Sequence, residues 1–297
     1  MRKSTTGPQT PAALRRSRFM TQTGQDATYT MGRSRGETDR LIEQAHLYEK
    51  VTLRMLRDAG VGSGMKVLDV GSGAGDVAFA AAQIVGPEGS VVGVDVNPDI
   101  LEVARGRAEQ AGHTNIQFIA GDARTLDLPP DFDAVVGRLV LMYLADPAVA
   151  LKQFVAHLRP GGIVAFQEAE LALYETAKNP DTPLSNQLVD WGLKVFQQSG
   201  ANIGMGLELH RTFVEAGLPA PVAHLEAPAG AGPAWVGYEF LKHAFASLLP
   251  LIETYGIATA EQLDLETLSE RLQQEATSSG RLIMLPPHVT AYATLPT

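Results

Sequence analysis

Gly71, Gly73 and Gly75 alternate with Ser72 and Ala74 directly after the apolar run Val67-Leu68-Asp69-Val70, and Asp76 follows at once. Glycine at such positions lets a backbone turn tightly and come close to a ligand, because a Cβ there would clash or forbid positive φ. A second apolar run ends in Asp95, an acid placed to accept hydrogen bonds from a ribose diol. Together they describe a nucleoside site. Farther along, Glu168 and Glu170 leave the end of another strand two residues apart, hence on one face. Either carboxylate is a candidate base or a hydrogen-bond partner for a substrate.

Such groups need strand ends brought side by side. Lys66 to Val70, Val91 to Val96, Ile116 to Ala120, Phe132 to Gly137 and Ile163 to Gln167 read as five buried strands. Between them, Asp76 to Val85 reads as a helix, Asn97-Pro98 opens one that Gly112 closes, and Asp146-Pro147 opens a third. On that third helix Leu151, Phe154, Val155 and Leu158 share one face, and Arg159-Pro160-Gly161-Gly162 stops it. Alternating strands and helices imply a parallel sheet covered on both faces, and right-handed crossovers make it doubly wound. Beyond Glu170 the rhythm changes. Helices are expected over Leu184 to Gln198, Leu207 to Ala216, Tyr238 to Tyr255 and Glu261 to Ala276, with strands over Val222 to Glu226 and Val289 to Thr294. The late strands suggest a hairpin carrying a helical insertion, a candidate lid, entered through a flexible joint at Ala229-Gly230-Ala231-Gly232-Pro233. The expected fold is α/β, a Rossmann-like, mainly parallel sheet of seven strands with a helical N-terminal cover and helical insertions. The expected divisions are a disordered basic tail over 1–27, the cover over 28–60, the nucleoside-binding core over 61–172, and acceptor-side helices, last strands and lid over 173–297.

A net charge of −9 works against binding a nucleic-acid backbone, which needs clustered Lys and Arg. A small-molecule substrate is the default. No apolar run is long enough to span a bilayer, so a soluble, cytoplasmic protein is expected. With Cys 0, disulfides, thiolate nucleophiles and cysteine-ligated metals are excluded. The 7 histidines contain no i, i+4 pair, so no metal site is expected. The acid-free N-terminus, with Arg2, Lys3, Arg15, Arg16 and Arg18, reads as a flexible tail rather than a transit peptide.

A dinucleotide fingerprint wants G-x-G-x-x-G, with a pyrophosphate at the helix N-terminus. Here the pattern is G-x-G-x-G followed by Asp76, and an acid at the mouth of that helix suits an amino group or a sulfonium better than a pyrophosphate. S-adenosylmethionine is favoured over NAD. The motifs in order resemble the class I S-adenosylmethionine-dependent methyltransferases, in particular small-molecule enzymes with the methyltransferase-11 type domain. They are Val67 to Gly75, Val94-Asp95-Val96, Gly121-Asp122-Ala123, Phe132-Asp133-Ala134-Val135-Val136 and Leu158-Arg159-Pro160-Gly161-Gly162.

The resemblance implies roles at matching positions. Gly71, Ser72 and Gly73 would pass under the methionine part of the cofactor, Asp95 would bind both ribose hydroxyls, and Val96 would pack on the adenine. Asp122 would accept from the adenine amino group and Ala123 would offer its N–H. Arg138 falls where the family joins cofactor and acceptor sites; an arginine there could hold an anionic acceptor group or the cofactor carboxylate. Tyr29, Arg33 and Gln44 lie in a segment that similar enzymes fold over the cofactor. The reaction implied is methyl transfer to N, O or C of a small molecule, with S-adenosylhomocysteine as product, in secondary metabolism. The alternatives are an NAD-dependent oxidoreductase or a non-catalytic nucleoside-binding protein. Phe196, Phe240 and Phe245, with Trp191, Trp235 and Tyr238, could wall an aromatic acceptor pocket, although their helical spacing suits ordinary core. His243 could face the acceptor or solvent. The helical insertions also offer surface for self-association into a homo-oligomer.

Overall fold

The structure, a computed structural model, describes residues 26–27 and 35–297, the side chains of 35–46 excepted. Helix α1 (Arg35–Asp58) precedes strand β1 (Lys66–Val70), α2 (Asp76–Val85), β2 (Ser90–Asp95), α3 (Pro98–Gln110), β3 (Ile116–Ala120) and β4 (Phe132–Arg138). A 3-10 turn at Leu141–Tyr143 leads to α4 (Pro147–Val155), β5 (Leu158–Ala169), α5 (Leu171–Tyr174), α6 (Pro183–Gln198), α7 (Met205–Glu215) and β6 (Val222–Glu226). Then come β7 (Ala229–Gly230), α8 (Gly237–Thr254), α9 (Ala260–Leu263), α10 (Leu268–Ser279), β8 (Ile283–Met284) and β9 (His288–Thr294).

The helix starts follow from their caps. Asn97 accepts from Asp99 N–H at 3.1 Å and Asp146 from Val149 N–H at 2.9 Å, each followed by proline at the first helical position. Side-chain acceptors there satisfy N–H groups that have no partner within the helix. The seven-stranded sheet has the order β3-β2-β1-β4-β5-β9-β6, with β1 to β5 parallel and β9 antiparallel to both β5 and β6. Order reverses between β1 and β4, where an open parallel sheet leaves a crevice at the strand carboxyl ends. Side chains alternate across it. Leu68, Val70, Val135, Val164 and Phe166 pack beneath α4 and α7, while Val67, Val91, Ala134, Val136 and Ala165 pack beneath α1, α2 and α3. Each fully buried Leu or Phe contributes about 1.5–3 kcal/mol. A third cluster joins Tyr48 of α1 to Leu188, Trp191, Tyr238, Phe240 and Leu241 on α6 and α8. The helical insertion thus sits on α1 above the crevice.

Three local expectations are corrected. Arg159 to Gly162 lies within β5, where Phe132 pairs with Leu158 and Ala134 with Ile163, so the extra residues form an irregularity in the strand. The helix expected over Glu261 to Ala276 is broken. Asp264 adopts φ 44, the capping box of Thr259 and Gln262 starts the short α9, and the Arg271 guanidinium donates to the carbonyls of Leu263 and Asp264 at 2.6 and 2.9 Å. Those contacts satisfy carbonyls that a continuous helix would have bonded. Ala229-Gly230 of the expected joint pairs with Ile283-Met284 as a second, two-stranded sheet. A Cβ on Gly230 would stand 2.4 Å from the Trp235 ring, so glycine is required by packing there.

The tail expected over residues 1–25 lies outside the described residues. Asp26 and Ala27, the last two of the expected tail, are pinned: Ala27 N–H donates to Tyr143 O at 2.7 Å, and Asp26 accepts from Ala145 N–H at 2.9 Å and pairs with Arg124 at 2.8 Å. No helix among the described residues is long and apolar enough to cross a membrane.

Candidate active site

The glycine turn runs from β1 into α2 with φ of 65° at Gly71, 52° at Gly73 and 93° at Gly75, a region that side chains rarely tolerate. Space demands glycine twice over: a Cβ on Gly71 would lie 2.5 Å from Val140 Cγ2, and one on Gly75 2.7 Å from the Phe79 ring. At Gly73 a Cβ would meet nothing within 4 Å, because that edge of the turn borders a cavity of about 770 Å³. Gly71, Ser72, Gly73, Asp95, Val96, Asp122, Ala123 and Arg138 all line this cavity. Tyr29 and Arg33 lie outside the described residues, and for Gln44 only the place in the α1 backbone is described.

Each polar group of the cradle is held in place. Asp95 accepts from Gly73 N–H at 2.9 Å and Asn97 N–H at 2.9 Å, which fixes its carboxylate at the rim. Val96 beside it is 70% exposed, an apolar side chain at a cavity lip awaiting a cover. Asp122 takes a two-pronged contact from Arg124, with Nε at 3.0 Å and Nη2 at 2.7 Å, and this guanidinium holds its carboxyl below the usual range. Ser72 Oγ, at the cavity wall, is buried without a hydrogen-bond partner. An unpaired buried polar atom is costly, and the place of this hydroxyl in the turn fits a polar ligand seated there. Burial raises the Asp69 carboxyl well above its ordinary range, with the Arg138 charge opposing.

Asp76 is not the bare anion that its position suggests. It is nearly buried between two guanidinium groups, Arg107 at 2.8 Å and Arg138 at 3.0 Å. Its charge is therefore offset, and Asp76 repels a pyrophosphate at the helix mouth far less than a bare carboxylate would.

On the other side of the turn the cavity opens into an apolar chamber walled by Leu188, Val189, Leu193, Phe196, Phe240 and Phe245. Of the six aromatic residues considered for an acceptor pocket, Phe196, Phe240 and Phe245 line it. Trp191 and Tyr238 are core, and Trp235 packs edge-on against Tyr238 at 5.0 Å. His243 lies outside the lining. Polar side chains here are few: Tyr48, Tyr174, Ser185 and His288. His288 had no distinguishing signal in the sequence. Its ring stacks on Tyr48 at 3.9 Å and 9°, and burial first, then the Arg138 charge, lowers its pKa to about 3.

Neither Glu168 nor Glu170 lines the cavity. Glu168 turns beneath the 3-10 turn, where Oε1 accepts from Val140 N–H at 2.9 Å and Leu141 N–H at 2.8 Å and Oε2 from Met142 N–H at 3.3 Å. Glu170 accepts from Leu207 N–H at 2.8 Å in the first turn of α7. Both hold backbone that surrounds the site. Burial raises the Glu168 carboxyl from 4.5 to about 7 against the pull of its three N–H donors. In that window the folded chain holds a proton that the unfolded chain has lost, so the stability tied to Glu168 is full below pH 4.5 and is lost as pH rises through about 7. Glu168→Gln keeps an acceptor oxygen and cannot ionise. Melting curves across buffers should show its stability flat over this window where the parent declines, the variant ahead by on the order of 2 kcal/mol at pH 8. Parallel curves for the two chains would remove Glu168 as the titrating group.

Among the described residues no cluster of three or more His, Asp or Glu could hold a metal ion. A methyltransferase-domain family model matches residues 62–217. The demethylmenaquinone methyltransferase of Staphylococcus aureus strain JH9 is 34% identical over 191 residues, covering 59% of this chain and 76% of the relative. Among solved structures, a protein of Bacillus halodurans C-125 matches with a TM-score of 0.54 at 19% identity, over 84% of this chain and 100% of that one. The Haemonchus contortus phosphoethanolamine N-methyltransferase 2, in complex with phosphomonomethylethanolamine and S-adenosylhomocysteine, matches with a TM-score of 0.51 at 18% identity, over 84% of this chain and 53% of that one. These two structures share the fold.

Proposed function

Because this chain belongs to the class I S-adenosylmethionine-dependent methyltransferases, we propose that it moves a methyl group to a small, largely apolar acceptor seated between the glycine turn and α6 and α8. The observation that carries this reading is the continuity of one cavity of about 770 Å³ from Gly73 and Asp95 to Leu188, Phe240 and Phe245. When bound, S-adenosylmethionine supplies a methyl carbon activated on a sulfonium.

The residues present suit that cofactor. Asp95 is held where it would accept from a ribose diol, Val96 offers the apolar surface an adenine covers, and Ser72 lies at the turn with a hydroxyl to satisfy. We assign Glu168 and Glu170 as positioning residues, which hold the 3-10 turn and α7 against the cavity. The chain contributes alignment and a chamber that excludes water.

The name of the Staphylococcus aureus relative supports a quinone-like ring as acceptor more directly than a product of secondary metabolism. The apolar walls and the net charge of −9 favour such a molecule over a nucleic acid. Membership of this family displaces the dinucleotide-dependent alternative. The test is methyl transfer from isotope-labelled S-adenosylmethionine to a panel of naphthol, naphthohydroquinone and amine acceptors, with calorimetry of S-adenosylhomocysteine and NADH alongside. We expect label in a ring acceptor, binding of S-adenosylhomocysteine, and none of NADH. Label appearing only in polar amines would overturn the apolar-acceptor reading.

A further inference from the structure

His288 stands at the end of a hydrogen-bond chain that begins at Arg138. Arg138 has donors only, so Thr52 Oγ1, 3.3 Å from its Nη1, must accept. The Thr52 hydroxyl donates to Gln167 Oε1 at 2.7 Å. That contact sets the amide, and Gln167 Nε2 donates to His288 Nδ1 at 2.7 Å. An Nδ1 that accepts carries no proton, so the proton of the neutral ring is on Nε2. Thr52, Gln167 and His288 are all buried, and the Tyr48 ring stacked on the imidazole restricts its turning.

The chamber's two tyrosine hydroxyls are committed elsewhere. Tyr48 donates its hydroxyl to Pro286 O at 2.9 Å and Tyr174 to Met284 O at 2.5 Å, so both present lone pairs to a ligand. Nε2 of His288 has no hydrogen-bond partner among the described residues, and His288 lines the cavity. Ser185 also lines the cavity, with a hydroxyl that can donate or accept; the His288 N–H can only donate, so a ligand without an oxygen at that wall leaves it unsatisfied.

The geometry points to His288 as the residue that recognises the acceptor: its Nε2–H donates to a carbonyl, hydroxyl or phenolate oxygen carried by an otherwise apolar molecule, and Gln167, Thr52 and Arg138 hold that proton in place. This rests on the apolar-acceptor reading above and names the polar group that its substrate must carry. The ring acts as a donor rather than a base, because freeing Nε2 would put a proton on Nδ1 against the Gln167 amide. Arg138 and its partner Asp76 lie at the glycine turn, so one chain of contacts spans the cofactor and acceptor sides.

The probes are 1,4-naphthoquinone and naphthalene, rings of one shape with and without oxygen; the chain has no cysteine to react with the quinone. Binding of each is measured by titration in saturating S-adenosylhomocysteine. The parent protein should prefer the quinone by about tenfold, the worth of one hydrogen bond. His288→Phe, which keeps the stacked ring, should erase that preference while S-adenosylhomocysteine binding stays within about twofold. His288→Gln, with an N–H near the Nε2 position, should restore part of it. Equal affinity of the parent for both probes, or equal losses of both in His288→Phe, overturns the recognition role and leaves the methyltransferase reading intact. Binding of S-adenosylhomocysteine with neither ring probe bound overturns the apolar-acceptor reading and this inference together. If His288→Phe does not bind S-adenosylhomocysteine, the parent's preference and its persistence in His288→Gln decide the matter.

Discussion

Asp95→Ala is expected to weaken binding of S-adenosylhomocysteine about 100-fold, with little change in thermal stability. Asp95 ends β2 beside the point where strand order reverses, and its carboxylate is fixed at the rim by the N–H groups of Gly73 and Asn97. A ribose diol would give it two charge-assisted hydrogen bonds, each with a net value of about 1.5–3 kcal/mol. Part of that is recovered by water in the variant, which leaves a loss of about 3 kcal/mol, or about 100-fold. The fold should survive, since the Gly73 and Asn97 N–H groups border a solvent-accessible cavity and can bond water. Calorimetry reads the affinity. At saturating S-adenosylmethionine the variant should recover much of its turnover, because ribose contacts act on ground and transition states alike. An affinity within threefold of the parent would remove Asp95 from the ribose role.

The glycine-turn half of the cavity was legible because its signals are local. Positive φ at Gly71, Gly73 and Gly75 needs glycine whatever surrounds it, and caps such as Asn97-Pro98 act within one turn. Strand alternation placed the β6–β9 hairpin for the same reason. The apolar half depends on which face of a strand end meets which helix. Glu168 and Glu170 stand out in sequence as a pair of carboxylates, yet at the end of β5 the cavity side carries Ala169, with Gln167 on the same face holding His288. Glu168, one residue over, points beneath the 3-10 turn. His288 follows two prolines and has no partner at helical or strand spacing, and its significance arises from Gln167 and Thr52, which tertiary packing brings to it. Asp76 shows the same dependence: its acid is plain in the sequence, and its two arginine partners come from α3 and the end of β4.

Arg138→Met is expected to destabilise the protein by about 3 kcal/mol, a fall in Tm of roughly 5–10 °C. Arg138 is buried at the end of β4, bonded to Asp76 and Thr52, and its charge is the leading influence that holds the Asp69 carboxyl down against burial. Removing one member of a buried pair leaves the other charge uncompensated, at about 3–5 kcal/mol. The low end applies, because Arg107 still pairs with Asp76 at 2.8 Å. Adding Asp76→Asn to Arg138→Met should recover about 1–2 kcal/mol, a coupling that a double-mutant cycle isolates. The substitution also frees Thr52 from accepting, so the proton on His288 is no longer assigned to Nε2, and one of the two influences that depress its pKa is lost. Burial remains, so the imidazole should titrate higher than about 3 yet below its ordinary 6.5, as carbon-bound ring proton shifts would report. If the double variant is no more stable than Arg138→Met alone, compensation of Asp76 is not what Arg138 contributes, and its bond to Thr52 carries the effect.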